Sequence, residues 1–169
     1  MLSFIPALGG TLHVVGACVN RIGTGGWRNA KHAGTDWSGE YGEPIIAAAD
    51  GFLYDTFWNE GGCGIGLSIS HRSTYSTDVF TVYCHMSGIA NLSGKIRRGD
   101  VIGWVGTSGN AWGIPHVHLE VSTDGDSHRD GDLGNTKDPE DYVLACFIPD
   151  RVYDPTTFEL SRPLRCVPD

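Results

Sequence analysis

From residue 44 onward the chain alternates between short apolar runs and glycine-rich punctuation. Runs at 44–49, 65–71, 79–85, 101–105 and 117–122 are rich in Val, Ile, Tyr and Phe, with Gly, Asp, Asn and Ser around them. Segments of that length and composition predict strands. One stretch predicts a helix. Asp138 suits an N-cap, Pro139 suits the first helical position, and Glu140 and Asp141 complement the N-terminal dipole, so a helix is expected from Pro139 to about Cys146. No internal repeat or low-complexity linker interrupts the pattern. The expected architecture is mostly β, a single compact domain over residues 1–169 built on antiparallel sheet, with one short helix near the C-terminus.

One hairpin can be placed in register. The runs 65–71 and 79–85 flank a polar stretch, 72–78, that would form the turn. With His71 and Val79 beside that turn, Cys63 and Cys84 fall almost opposite each other, within disulfide reach. A Cys63–Cys84 bridge is therefore expected, and two buried thiols are the other outcome.

The chain has 169 residues, 40% hydrophobic and 19% charged, which fits a folded domain with a sizeable core. No apolar run approaches the roughly 20 residues of a membrane helix, so no membrane span is expected. The opening MLSFIPALGG lacks the basic region and long apolar core of an export leader. The net charge is −8 and Lys and Arg form no stripe, which argues against a nucleic-acid partner. Five cysteines without a C-x-x-C pair favour disulfides and an oxidising compartment over a Cys-rich metal site, and the odd count leaves at least one thiol unpaired.

Three pieces of the sequence carry chemistry. The first is His32-Ala-Gly-Thr-Asp36. Its glycine and the flanking Gly25, Gly26 and Gly39 predict a loop, in which imidazole and carboxylate can converge on one cation or simply hydrogen-bond at the surface. The second is Pro115-His116-Val117-His118-Leu119-Glu120-Val121. Strand alternation points His116 and His118 the same way, with Val117, Leu119 and Val121 packing behind, and the plain alternative is a polar strand face. The third is Tyr83-Cys84-His85, where alternation sets His85 on the face of Tyr83 and Cys84 on the opposite one; a structural strand-end histidine is the alternative. Together they offer three ligands and two further imidazoles. A catalytic zinc takes three protein ligands and keeps a position open for water.

From about Gly23 to Tyr142 the chain resembles the lysostaphin/LytM-type peptidoglycan metallopeptidases. Their ordered pattern His-x-x-x-Asp, Tyr-x-His, His-x-His is matched by His32–Asp36, Tyr83–His85 and His116–His118. The phrases GEPIIAAADGFL, RRGDVIGWVGTSG and DPEDYV also follow the family order. The resemblance implies an antiparallel sheet with an open groove. It implies one zinc ion held by His32, Asp36 and His118, with His85 and His116 as catalytic imidazoles beside it. The substrate implied is the peptide of bacterial peptidoglycan, cleaved at a cross-link or stem, which sets the site of action in the periplasm or at the cell surface. A monomer is the favoured state. With no wall-binding module in view, action on the producing cell's own wall is the expectation. A glutamate base is not implied, because no His-Glu-x-x-His motif occurs.

Three features depart from familiar members: the five cysteines, an acidic loop at 124–135, and a tail over about 149–169 beyond the resemblance. A non-catalytic or autoinhibited relative is the alternative function; a missing ligand would mark it, and none is missing. A D-Ala-D-Ala-type metallopeptidase would need Glu-x-x-His, which the chain lacks. Asp124, Asp126, Asp130 and Asp132 do not follow EF-hand spacing and read as a solvated loop. His71 is either a partner of the site or a strand-end surface residue, and His13 and His128 have no ligand-like company. Among Trp27, Trp37, Trp58, Trp104 and Trp112, the two beside motif residues, Trp37 and Trp112, are the candidates for substrate contact. Gly106 and Gly109 fit tight turns.

Overall fold

A computed structural model describes residues 32–125 and 135–166. The first strands are β1 (Gly34–Ser38), β2 (Pro44–Ile46), β3 (Gly51–Asn59), β4 (Gly64–Ser70) and β5 (Phe80–Ile89). They are followed by β6 (Lys95–Ile96), β7 (Val101–Val105), β8 (His116–Ser122) and β9 (Thr136–Lys137). These nine form one sheet whose main path runs β1-β8-β5-β4-β3-β6, with β2 on β7, β7 also on β5, and β9 on β8. Every pairing within it is antiparallel.

Strands β5 and β8 lie side by side and carry much of the core. Val117, Leu119 and Val121 of β8 join Leu67, Ile69, Tyr83, Ile45 and Ile102 in one buried cluster. Each such side chain stabilises the fold by about 1.5–3 kcal/mol when fully buried. Tyr83 is wholly buried, and its hydroxyl accepts a hydrogen bond from Ala48 N at 2.9 Å.

The β4–β5 hairpin has the expected register, and its connection contains a single helical turn, α1 (Arg72–Tyr75), that ends on Ser76 in the left-handed region. Cys63 and Cys84 are bridged, with Cα atoms 4.8 Å apart. A second bridge joins Cys146 to Cys166. No free cysteine occurs among the described residues, and Cys18, the fifth, lies outside them.

The helix expected to reach Cys146 stops after one 3-10 turn, Pro139–Asp141. Asp138 does cap it, accepting from Glu140 N at 3.0 Å. The chain then extends into β10 (Val143–Ala145), which pairs in parallel with β11 (Leu160–Ser161). Tertiary pairing overrides the weak helical preference of so short a segment. Through β11 the tail joins the same core: Leu160 and Leu164 are buried, and Ile46 N donates to Pro163 O. Arg98 fastens it further, donating to Ala48 O, Ser161 Oγ and Glu159 O while stacking 4.1 Å from the Tyr153 ring.

Candidate active site

The sheet register assembles the site. β1 runs antiparallel to β8 with Asp36 directly opposite His118. The expected loop at 32–36 is therefore half strand. Gly34 is not a breaker here, because a Cβ at this position would lie 2.1 Å from the Leu119 carbonyl oxygen. Only glycine lets β1 come this close to β8.

His118 Nδ1 stands 2.7 Å from Asp36 Oδ1, and His32 Nε2 is 3.1 Å from the same oxygen. One ligand atom from each of the three residues lies within 4.8 Å of the others, the only group of this kind among the described residues. The His32 and His118 rings meet edge to face at 4.6 Å. On the far side His118 Nε2 contacts Glu120 Oε1 at 3.1 Å. Burial disfavours charge on His118, but its hydrogen bonds to Asp36 and Glu120 outweigh that and raise its pKa to about 9. Burial likewise opposes ionisation of Asp36, yet the hydrogen bonds from His118 and His32 hold its carboxyl well below the usual carboxylate range.

This donor set fits a zinc ion. Two imidazoles and a carboxylate are suitable ligands, and Glu120 stands where an outer carboxylate would orient a ligating histidine. A divalent cation held here would supply the positive charge that the carboxylates of Asp36 and Glu120 call for beside His118. His32 Nδ1 is buried without a hydrogen-bond partner.

His85 and His116 sit beside this cluster, their rings 4.7 Å apart, with His85 5.9 Å from the His118 ring. His85 Nδ1 donates to Ser108 O at 2.9 Å, and His116 Nδ1 donates to Ile114 O at 2.8 Å. His85 Nε2 is thereby left as an acceptor, while His116 Nε2 faces Asp36 Oδ1 at 3.8 Å. Burial, reinforced by His118 and His116, lowers the His85 pKa to about 4.

Strand alternation placed Cys84 correctly, on the face opposite Tyr83, but misplaced His85. Tyr83 points into the core, while Cys84 stands opposite His118 and shares its face. His85 reaches that face as well because its backbone is left-handed, φ 61°. A non-glycine residue there is uncommon, and such strain concentrates at functional sites. Gly106 packs against the strained turn, since a Cβ would lie 2.3 Å from Ser87 N, so its role is close approach and not a tight turn. Gly109 is left-handed, as its turn requires.

Other expectations change. Trp37 is buried in the core opposite Val117 and is no substrate contact, whereas Trp112 is 88% exposed two residues before Ile114, whose carbonyl holds His116. His71 is fully buried, neither surface residue nor neighbour of the cluster, and bonds to Asp50 O and Thr81 Oγ1. Trp27, His13, His128, Asp126, Asp130 and Asp132 lie outside the described residues. Two supporting residues went unread: Glu120, which alternation from His118 could have revealed, and Ser108, whose part depends on the loop path alone.

A partly buried His-Asp-His cluster on the β1–β8 pair, with two further imidazoles beside it, has the donor set of a metallopeptidase centre. Residues 30–130 match the sequence model of Peptidase family M23, and the chain belongs to that family. It is 38% identical over 100 residues to the DD-carboxypeptidase/endopeptidase Mpg of Neisseria meningitidis, covering 59% of this chain and 21% of that protein. It is 33% identical over 95 residues to the peptidoglycan DD-endopeptidase ShyC of Vibrio cholerae, covering 56% and 21%. The chain thus spans about a fifth of the length of the curated relatives it matches. Among solved structures, a mutant catalytic domain of the prophage-encoded M23 protein EnpA from Enterococcus faecalis superposes with a TM-score of 0.57 at 27% identity, covering 73% of this chain and 90% of that one. The catalytic domain of lysostaphin from Staphylococcus simulans shares the fold at 22% identity and a TM-score of 0.56, covering 66% and 77%.

Proposed function

We propose that this chain is a zinc endopeptidase that hydrolyses peptide cross-links or stem peptides of bacterial peptidoglycan outside the cytoplasmic membrane. The observation that carries the reading is the convergence of His32, Asp36 and His118 beside the imidazoles of His85 and His116. The DD-carboxypeptidase/endopeptidase Mpg and the peptidoglycan DD-endopeptidase ShyC, as relatives, support the substrate class. The two disulfides support an oxidising compartment.

His32, Asp36 and His118 would hold one zinc ion per chain, with Glu120 orienting His118 from behind. When bound, zinc supplies a Lewis acid that polarises a carbonyl and acidifies water. His85 and His116, held by Ser108 O and Ile114 O, would each turn Nε2 towards an attacking water. One accepts the proton as the water attacks, and the resulting imidazolium stabilises the oxyanion or protonates the leaving amine.

Elemental analysis, paired with peptidoglycan digestion before and after chelation, tests the reading. About one zinc per chain with chelator-sensitive release of peptides supports it. Zinc without cleavage favours a wall-binding or autoinhibited relative, and no metal after zinc is offered refutes the ligand set.

A further inference from the structure

Between β7 and β8 the chain makes a tight turn closed by Ile114 N donating to Ala111 O at 3.0 Å. Both central residues are left-handed, Trp112 at φ 53° and Gly113 at φ 78°. Two consecutive positive φ values are what a type I′ turn demands, and Gly, Asn and Asp meet that demand at low cost. Trp112 does not. Its indole is also 88% exposed, so the largest side chain type forgoes burial in a strained position. Ala111 is buried and anchors the turn, while Ile114 adds a half-exposed apolar side chain. The carbonyl of Ile114 is the group that holds His116 Nδ1. Nothing ionisable occurs from Asn110 to Pro115.

We propose that the Ala111–Ile114 turn is a substrate-docking ledge, on which Trp112 and Ile114 receive an uncharged, apolar segment of the peptide next to the bond being cut. The inference rests on the peptidase reading above and deepens it. The turn is tied to the candidate site through one hydrogen bond, from His116 Nδ1 to Ile114 O. The absence of ionisable groups sets the occupant's chemistry: small neutral residues pack on the indole face, and a charged one would lose its hydration there unpaired.

Trp112→Gly and Trp112→Asn both keep the left-handed turn and remove the indole. Both should melt at or above the wild-type temperature. With a defined muropeptide, KM should rise by about tenfold while kcat and its pH profile stay near wild type. Wild type should also prefer a neutral over a charged side chain flanking the scissile bond, and the variants should lose that preference. Unchanged KM in a variant of raised melting temperature overturns the ledge. A loss confined to kcat, with a shifted pH profile, overturns it too and makes the turn a support for His116 only. Should wild type cleave nothing, the peptidase reading fails by itself. Calorimetric binding of the same muropeptides to wild type and Trp112→Gly then decides the ledge, and equal affinities overturn it.

Discussion

Lowering the pH from 7 to 4.5 should cost stability, because away from the candidate site the fold holds neutral a histidine that the unfolded chain would protonate. His71 is fully buried, donating from Nδ1 to Asp50 O at 2.7 Å and accepting at Nε2 from Thr81 Oγ1 at 2.9 Å. The Thr81 hydroxyl is itself bonded to Tyr83, whose oxygen takes the Ala48 amide, so the whole chain of bonds is neutral. Phe158 covers the imidazole at 5.0 Å between centroids. Burial, partly opposed by the Asp50 carbonyl, lowers the His71 pKa from 6.5 to about 4. The unfolded chain therefore binds the extra proton between pH 6.5 and about 4, and stability must fall as the pH drops through that window. At 1.36 kcal/mol per pKa unit the full effect is about 3 kcal/mol, of which about 2 kcal/mol is lost between pH 7 and 4.5. That is a large share of a typical 5–15 kcal/mol. Urea unfolding at both pH values, with disulfides intact and metal state fixed, should show the wild-type midpoint falling on the order of 1 M further than that of His71→Gln. The variant starts less stable, but Gln does not titrate, and the other ionisable groups are common to both proteins. Parallel losses would mean that His71 is not held neutral by this network.

His118→Ala should lose zinc and activity together, whereas His85→Ala and His116→Ala should keep zinc and lose on the order of 10²–10⁴ in rate. Metal analysis beside muropeptide turnover checks the split. Leu164→Ala removes a side chain that is 1% exposed in the core, and should cost about 2–5 kcal/mol by chemical denaturation. An effect near zero would mean the C-terminal segment is an appendage and not part of the domain.

The strand pattern and the five chemical residues were legible because each rests on local information. Val, Ile and Tyr runs mark strands wherever they pair, and a His-x-His strand fixes two imidazoles on one face. What was hidden depends on contacts between distant segments. Gly34 reads as a breaker in isolation, and only the Leu119 carbonyl against it reveals a strand. His85 follows alternation until its backbone turns left-handed beside Gly106. The segment after Asp141 has the composition of a helix, yet its partner, Leu160–Ser161, draws it into a sheet. Trp37 and Trp112 are alike as neighbours of motif residues, and burial by the opposing Val117 separates them.

The candidate site and the core are two faces of one strand. Val117, Leu119 and Val121 are wholly buried on one side of β8, while His116, His118 and Glu120 fill the other. Side-chain period is two in a strand, so a slip of one residue would exchange imidazoles for aliphatics on both faces at once. Apolar burial thus holds the register that sets His118 opposite Asp36. The same burial keeps the imidazoles out of bulk water, which lowers the His85 pKa and leaves its Nε2 unprotonated at neutral pH. The cost is the left-handed turn at His85, tolerable because Ser108 braces both strands around it: its hydroxyl takes Ile65 N and donates to Met86 O, while its carbonyl holds the imidazole. Packing, register and proton placement at this site are therefore set together, and a core substitution that shifts β8 should disturb the histidines before it unfolds the chain.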